Sequence, residues 1–316
     1  MRCLITGIEG FAGYHLARHL TSRGDTVVGT AFAPPSAAIA GYHIVSLDIN
    51  RSDDVRKAID EIAPEVIYHL AALSNVKVSW ESTRSTLETN FIGAFNLLEA
   101  AASLGRNAPR VLVVGSAEQY GPVPPERQPI SEECPLDPRN PYALSKVAQE
   151  YLALNYLRTG RLAVYLVRAF NHSGPGQAPI FVASSFAKQI AEIESDGREP
   201  VMSVGNLTSR RDFTDVRDTV RAYATVVEKG DPGEVYNVCT GTAVGISEIL
   251  HTLLAASSRK IRVEADPKLY RPADTPAFTG DRTKISSKCG WLPEIPLRQT
   301  LIDLLDYWRH EVRKAG

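Results

Sequence analysis

The chain predicts an α/β fold: a doubly wound parallel sheet covered by helices on both faces, followed by a smaller α/β unit. Three observations carry this. Short β-branched apolar runs alternate with amphipathic helical patterns from the first residue onward. A glycine-rich turn, Gly7-Ile8-Glu9-Gly10-Phe11-Ala12-Gly13, joins the first run to the first helix. After Arg168 the texture changes to an interrupted, Gly- and Pro-rich pattern.

Arg2–Thr6 is a buried strand, because it is apolar and ends in Thr-Gly. Helix 12–23 follows, with Leu16, Ala17 and Leu20 on one face and Gly24 as its stop. Residues 26–30 form the next strand. Ser52–Ile62 is a helix with Val55, Ile59 and Ile62 on one face and Ser52 as its expected N-cap. Strands are expected at 66–70, 110–115 and 163–168, separated by helices at 87–103 and 141–158. Asn171–Pro179 reads as irregular. Helix 180–194, strand 201–205, helix 217–229, strand 234–238 and helix 297–312 complete the pattern. The expected division is a nucleotide domain, 1–168 plus about 210–240, and a second domain, 169–209 plus 241–316.

Lys plus Arg number 35 and Asp plus Glu 36 among 316 residues, a formal net charge of -1. No bulk basic charge advertises nucleic acid or an anionic membrane surface. Cys3, Cys134, Cys239 and Cys289 are far apart and form no C-x-x-C pair, so neither a metal site nor a disulfide framework is expected. The apolar part of the N-terminus is too short for a signal peptide. The longest uncharged stretch, 26–47, is broken by Pro34-Pro35 and by Gly29 and Gly41 and does not suit a membrane span. A cytoplasmic protein is expected.

Glycines at 7, 10 and 13 permit a tight turn and let a pyrophosphate approach the backbone. The helix that follows offers free N–H groups and a positive dipole end. Tyr142 and Lys146, in Tyr-Ala-Leu-Ser-Lys, are one turn apart on a helix and face one ligand. A cation there stabilises a phenolate, which makes the tyrosine a usable acid–base. Ser116 stands at the carboxyl end of an apolar strand, where α/β sheets bind ligands.

The spacing of the glycines, followed in order by Ser116, Tyr142 and Lys146, resembles the extended branch of the short-chain dehydrogenase/reductase superfamily. Further segments resemble its nucleotide-sugar-modifying members: Leu70-Ala71-Ala72 with Ser74 and Ser79-Trp80; Thr89-Asn90-Phe91-Ile92-Gly93; Asn171-His172-Ser173-Gly174-Pro175-Gly176-Gln177; Phe181-Val182; Arg210-Arg211-Asp212-Phe213; and Tyr270-Arg271-Pro272. The resemblance spans essentially the whole chain. It lies nearest the GDP-6-deoxy-4-keto-mannose reductases, which form GDP-rhamnose. The GDP-mannose 4,6-dehydratases, or another sugar-nucleotide epimerase or dehydratase, are the alternatives.

The resemblance implies a Rossmann-type nucleotide domain with a smaller C-terminal α/β substrate domain. It implies Ser116, Tyr142 and Lys146 as the catalytic set, with Glu118 either a base for a C5 proton or a substrate-orienting group. Gly7, Gly10, Phe11, Ala12, Gly13, Thr30, Asp48, Ile49, Leu70, Ala71, Ala72, Asn90 and Phe170 would join Tyr142 and Lys146 around the cofactor. Ser74, Asn171, His172, Val204, Arg211, Arg271 and Asp274 would join Ser116 and Glu118 around the GDP-sugar, the two arginines clamping its diphosphate. The second strand runs into Thr30-Ala31-Phe32-Ala33-Pro34-Pro35. It lacks the acid that would bond a ribose 2′-OH, and also the arginine pair that dehydratases use for a 2′-phosphate. NADP(H) is weakly favoured, with NAD(H) open. Ala183-Ser184-Ser185 after Phe181-Val182 resembles the reductases. A homodimer through a four-helix bundle is implied, with Ala94, Leu97, Leu98, Ala101, Leu152 and Tyr156 as its face. A catalytically silent dinucleotide sensor or an RNA-binding role would be the rival classes. The intact triad opposes the first, the charge balance the second.

Overall fold

A computed structural model describes residues 1–32, 41–196, 199–269 and 275–315. In chain order the elements are β1 (Arg2–Thr6), α1 (Phe11–Ser22), β2 (Thr26–Ala31), β3 (His43–Ser46), α2 (Ser52–Ile62), β4 (Val66–His69), α3 (Val76–Glu81) and α4 (Thr83–Leu87). They continue with α5 (Gly93–Ser103), β5 (Arg110–Ser116), α6 (Pro141–Arg158), β6 (Val164–Ala169), β7 (Asn171–Ser173), α7 (Val182–Asp196), β8 (Val201–Val204) and β9 (Arg210–Asp215). The last are α8 (Val216–Lys229), β10 (Val235–Val238), β11 (Ala243–Gly245), α9 (Ile246–Ala255), β12 (Arg262–Ala265), β13 (Ala277–Phe278), α10 (Thr283–Cys289) and α11 (Leu297–Ala315).

Seven strands form one parallel sheet in the order β3-β2-β1-β4-β5-β6-β10. The alternation of side chains explains why each run is apolar throughout. Cys3, Ile5, Tyr68, Leu112 and Val167 pack under α1, α8 and α10, among Leu16, Leu20, Val220, Tyr223 and Ile285. Leu4, Ile67, Val111, Val113 and Leu166 point the other way, onto Ile59, Leu97, Leu98, Ala153 and Tyr156. Burial on both faces is what period-2 geometry requires of a doubly covered sheet. The strand order reverses between β1 and β4, so a crevice opens at their carboxyl ends. The second lobe builds its core from α7, α9 and α11 with β8 and β9, among them Phe186, Ile190, Phe213, Leu250, Leu253 and Leu304.

Several expectations are corrected. Ser52 does not cap α2; Arg51 does, without a side-chain bond, and Asp53 and Asp54 in the first turn serve the helix dipole instead. The helix expected at 87–103 is not uniform. It begins at Thr83 and passes through a π turn at Glu88–Ile92 before α5. Asn171–Ser173 is a short strand rather than irregular chain, paired in parallel with β9. Ala94, Leu97, Leu98, Ala101 and Tyr156 are at most 5% exposed within their own chain, and all but Ala94 belong to the core that covers the sheet. Leu152 packs beside them. The large exposed apolar side chains on α5, the π turn before it and α6 are Ile92, Phe95, Leu144 and Tyr151. Ala33, Pro34, Pro35, Tyr270, Arg271, Pro272 and Asp274 lie outside the described residues. Among the described residues no helix is long and apolar enough to cross a membrane.

Candidate active site

The crevice is floored by three strand ends. After β1, the chain turns at Gly7 (φ 73°) and its N–H bonds the carbonyl of Thr30, 3.0 Å away. A Cβ on Gly7 would lie 3.0 Å from the Ala71 backbone, and one on Gly13 only 2.3 Å from the Gly7 carbonyl oxygen. Gly10 caps α1 with no side-chain bond. The first N–H groups of α1 therefore stay available to an anion. These positions fit a dinucleotide pyrophosphate, since backbone rather than side chain meets the ligand. Phe11 stacks on His172, centroids 5.8 Å apart and planes within 5°. His15 bonds the Pro175 carbonyl at 2.8 Å. The glycine turn is thereby docked to the 171–177 segment.

After β4, Ala71 N donates to Thr6 Oγ1 at 3.2 Å, and the same hydroxyl meets His69 Nδ1 at 2.8 Å. Burial, and secondarily the Lys146 charge, push the His69 imidazole down to about 3. Leu70 and Ala72 are partly buried beside Ala71, and Ser74 is exposed beyond them. Asn90, fully buried in the π turn, accepts from Leu73 N at 2.8 Å. It donates to Leu73 O at 3.1 Å and Ser145 Oγ at 2.9 Å. Its amide is spent on Leu73 and on Ser145, so Asn90 ties the loop after β4 to α6. The π turn aims it inward; such turns frequently mark functional sites.

After β5, Ser116 is 9% exposed. Its Oγ accepts from Glu118 N at 3.2 Å and its side chain also hydrogen-bonds Tyr142. Asn140 caps α6 by accepting from Ala143 N at 2.8 Å, and Pro141 follows at the first helical position, which sets Tyr142 at the mouth of the crevice. Burial pushes the Tyr142 phenol up to about 12, against the Ser116 bond, which lowers it. Lys146, one turn on, donates to Val114 O at 2.9 Å and Gln149 Oε1 at 3.1 Å. Burial brings its ammonium down to about 8. Glu118 is exposed, accepts from Asn140 Nδ2 at 3.2 Å, and its charge acts on Tyr142. Ser116, Glu118, Tyr142 and Lys146 therefore share one site.

Other expected residues play different parts. Asp48 Oδ1 accepts from Asn50 N at 3.0 Å, and Ile49 is buried against Gly93. Phe170, 2% exposed, packs with Tyr120 and Phe278. Val204 is 2% exposed in the second lobe's core, which corrects the expectation of a substrate contact through its side chain. Asn171 is exposed; His172 Nδ1 meets the Phe170 carbonyl at 3.1 Å. Arg211 Nη1 donates to Thr275 O at 2.7 Å. Sequence reasoning missed Asn140, Gln119 and Glu150. The Asn-Pro cap signal was there to find the first. The Ser-x-x-Gln capping box was there to find Gln119, whose side chain returns to Ser116 N. Nothing local signals Glu150, whose partners Gln119 and Arg168 lie far along the chain.

A glycine-turn dinucleotide site with a buried Tyr–Lys pair and a strand-end serine defines an extended short-chain dehydrogenase/reductase, an enzyme. The chain belongs to the GDP-mannose 4,6 dehydratase family, whose sequence model matches residues 4–304. GDP-6-deoxy-D-mannose reductase of Pseudomonas aeruginosa is 34% identical over 99% of both chains. The solved structure of RMD from the same organism, complexed with NADPH, is 31% identical, covers 98% of this chain and 100% of that one, and gives a TM-score of 0.86. The UDP-glucose 4-epimerase of Thermus thermophilus in complex with NAD is 28% identical, covers 98% and 99%, and gives 0.87.

Proposed function

We propose that this enzyme reduces the C4 ketone of GDP-4-keto-6-deoxy-D-mannose to GDP-D-rhamnose with NAD(P)H. The observation that carries the reading is a buried phenol, Tyr142, held protonated at neutral pH beside Ser116 and Lys146 in a chain similar along its whole length to a reductase of that class. The similarity to RMD, solved with NADPH, favours NADPH; NADH is the second cofactor to test, since residues 32–50 after β2 carry no Arg or Lys for a 2′-phosphate.

The glycine turn and the α1 N-terminus would hold the pyrophosphate, and Lys146 the nicotinamide ribose. The bound cofactor supplies a hydride. Ser116 orients the ketone oxygen by hydrogen bonding. Tyr142 Oη gives its proton to that oxygen as the carbonyl π electrons move onto it, leaving a hydroxyl at C4. The Lys146 cation favours the phenolate that remains, until solvent reprotonates it. Glu118, exposed and tied to Asn140, orients the sugar. Arg211, with Arg271 and Asp274, would contact the diphosphate and hydroxyls.

Residues 1–168 with about 210–240, which bring α8 and β10 to the sheet, would form the cofactor domain, and 169–209 with 241–316 the sugar domain, although α10 also packs under the sheet. Exposed Ile92 and Phe95 on one helix and Leu144 and Tyr151 on its neighbour support a homodimer through those helices. A cytoplasmic location suits a nucleotide-sugar substrate and the free thiols of Cys3 and Cys239.

Mass spectrometry of two incubations tests the reading. A gain of two mass units with GDP-4-keto-6-deoxy-D-mannose and NADPH or NADH is expected. Loss of water from GDP-mannose with oxidised cofactor would instead make the enzyme a dehydratase.

A further inference from the structure

The turn that carries Ser116 is tied to α6 by buried groups that touch neither cofactor nor sugar in the mechanism above. Ser116 N donates to Gln119 Oε1 at 2.8 Å. Gln119 Nε2 donates to Glu150 Oε2, also at 2.8 Å. Arg168 on β6 closes on the same carboxylate from the other side, Nε to Oε2 at 2.9 Å and Nη2 to Oε1 at 2.6 Å. Arg168 Nη1 continues to Tyr120 Oη at 3.0 Å, and Tyr120 donates to Asn237 Oδ1 at 2.7 Å. Gln119, Glu150, Arg168, Tyr120 and Asn237 are each at most 5% exposed.

The amide of Gln119 has one workable orientation. Its oxygen faces an N–H and its nitrogen faces a carboxylate, so a flip would lose both bonds. The chain makes room for it: a Cβ on Gly115 would lie 2.3 Å from Gln119 Oε1. Glu150 stands one turn beyond Lys146 and two beyond Tyr142 on the same buried side of α6. A cap for a short turn would need only the Ser116–Gln119 bond. The second bond, to a paired carboxylate on α6, fixes the serine against the tyrosine.

We propose that Glu150, acting through Gln119, is a positioning residue for the reaction: it sets the Ser116 hydroxyl relative to the Tyr142 phenol, and Arg168 holds it in place. The inference rests on the ketoreductase reading for its kinetic consequence. Geometry errors of about 1 Å at such sites cost on the order of a hundredfold in rate.

The test uses full-length Glu150→Gln, Gln119→Met, and the double exchange Gln119→Glu with Glu150→Gln. The exchange keeps one carboxylate in the network, now as the acceptor for Ser116 N, with an amide facing it from α6. Two readouts are taken: kcat and KM with the keto-sugar and NADPH, and the titration of Tyr142 followed by 13C-tyrosine NMR, its resonance assigned with Tyr142→Phe. Each single variant is expected to lower kcat about ten- to a hundredfold, with cofactor affinity within about twofold, and to move the Tyr142 titration. The exchange should recover part of both, since the amide nitrogen it places at the Glu150 Oε2 position donates to the turn but no longer accepts from Arg168 Nε. Should Glu150→Gln not fold, Gln119→Met, which leaves the Glu150–Arg168 pair intact, carries the test. Variants that lose thermal stability yet keep kcat and the Tyr142 titration would overturn the proposal. If wild type fails to turn over the keto-sugar, the ketoreductase reading falls while the NMR titration still decides this one.

Discussion

Lys146 Nζ donates to the main-chain oxygen of Val114, 2.9 Å away on the strand that ends in Ser116. The ammonium is thus fixed to the sheet before any ligand arrives. Burial lowers its proton affinity to about 8, while Tyr142 remains protonated up to about 12. Reduction needs the phenol protonated and the lysine charged. Its rate should therefore hold across neutral pH and fall above about pH 8, as Lys146 loses its proton. The folded value lies below the ordinary 10.5. Lysine burial accordingly costs stability below pH 8, and that cost disappears as pH rises from about 8 to 10.5. A pH–rate profile of kcat checks the first part and denaturant melts of the ligand-free protein the second.

Tyr142→Phe removes the proton donor and little else, since the ring keeps its burial. Turnover should fall by about a hundred- to ten-thousandfold. Cofactor affinity, read from nicotinamide fluorescence, should stay within about twofold. Retained turnover would remove Tyr142 from the mechanism.

Gly13→Ala forces a methyl to within 2.3 Å of the Gly7 carbonyl oxygen, a contact between backbones that cannot rotate away. The turn has to open. Cofactor binding should weaken about tenfold or more, by fluorescence titration. The same change at Gly24 or Gly160 meets nothing within 4 Å, but both have positive φ, so they report strain alone.

Glu118→Gln separates two chemistries at one position. A ketoreductase uses the side chain for orientation, so KM for the keto-sugar should rise while kcat changes less than about tenfold. A C5 base would lose about a hundredfold or more in kcat.

Phe95→Glu and Tyr151→Glu place charges on the exposed apolar helix faces without touching the sheet-facing residues. If those faces pair two copies, each variant should sediment as a monomer at micromolar concentration, while wild type sediments as a dimer.

The sheet was legible because strands buried on both faces read as uninterrupted apolar runs, and α6 because Pro141 opens a helical pattern that no breaker interrupts. The triad was legible because Ser116, Tyr142 and Lys146 are set by local signals: a strand end and a one-turn spacing. The π turn at Glu88–Ile92 was not, since one extra residue in a turn leaves apolar periodicity almost unchanged while rotating Asn90 inward. The apolar faces of α5 and α6 were assigned to the wrong neighbour for a related reason. Periodicity says that Leu97, Leu98 and Tyr156 are buried, never against what. The Gln119–Glu150–Arg168 chain joins three distant parts of the polypeptide, and only packing brings them together.

The edge strand β10 reaches the sheet only after the polypeptide has built β7, α7, β8, β9 and α8. The two lobes are therefore stitched rather than beaded. A protein cut after residue 168 would expose β6 as a raw edge and strip α8 from one side of the sheet, inviting self-association. Heat should accordingly melt the molecule in one cooperative step. Substrate-driven motion between the lobes would have to be a shallow flexing shared by several crossing segments, because among the described residues no single linker joins them.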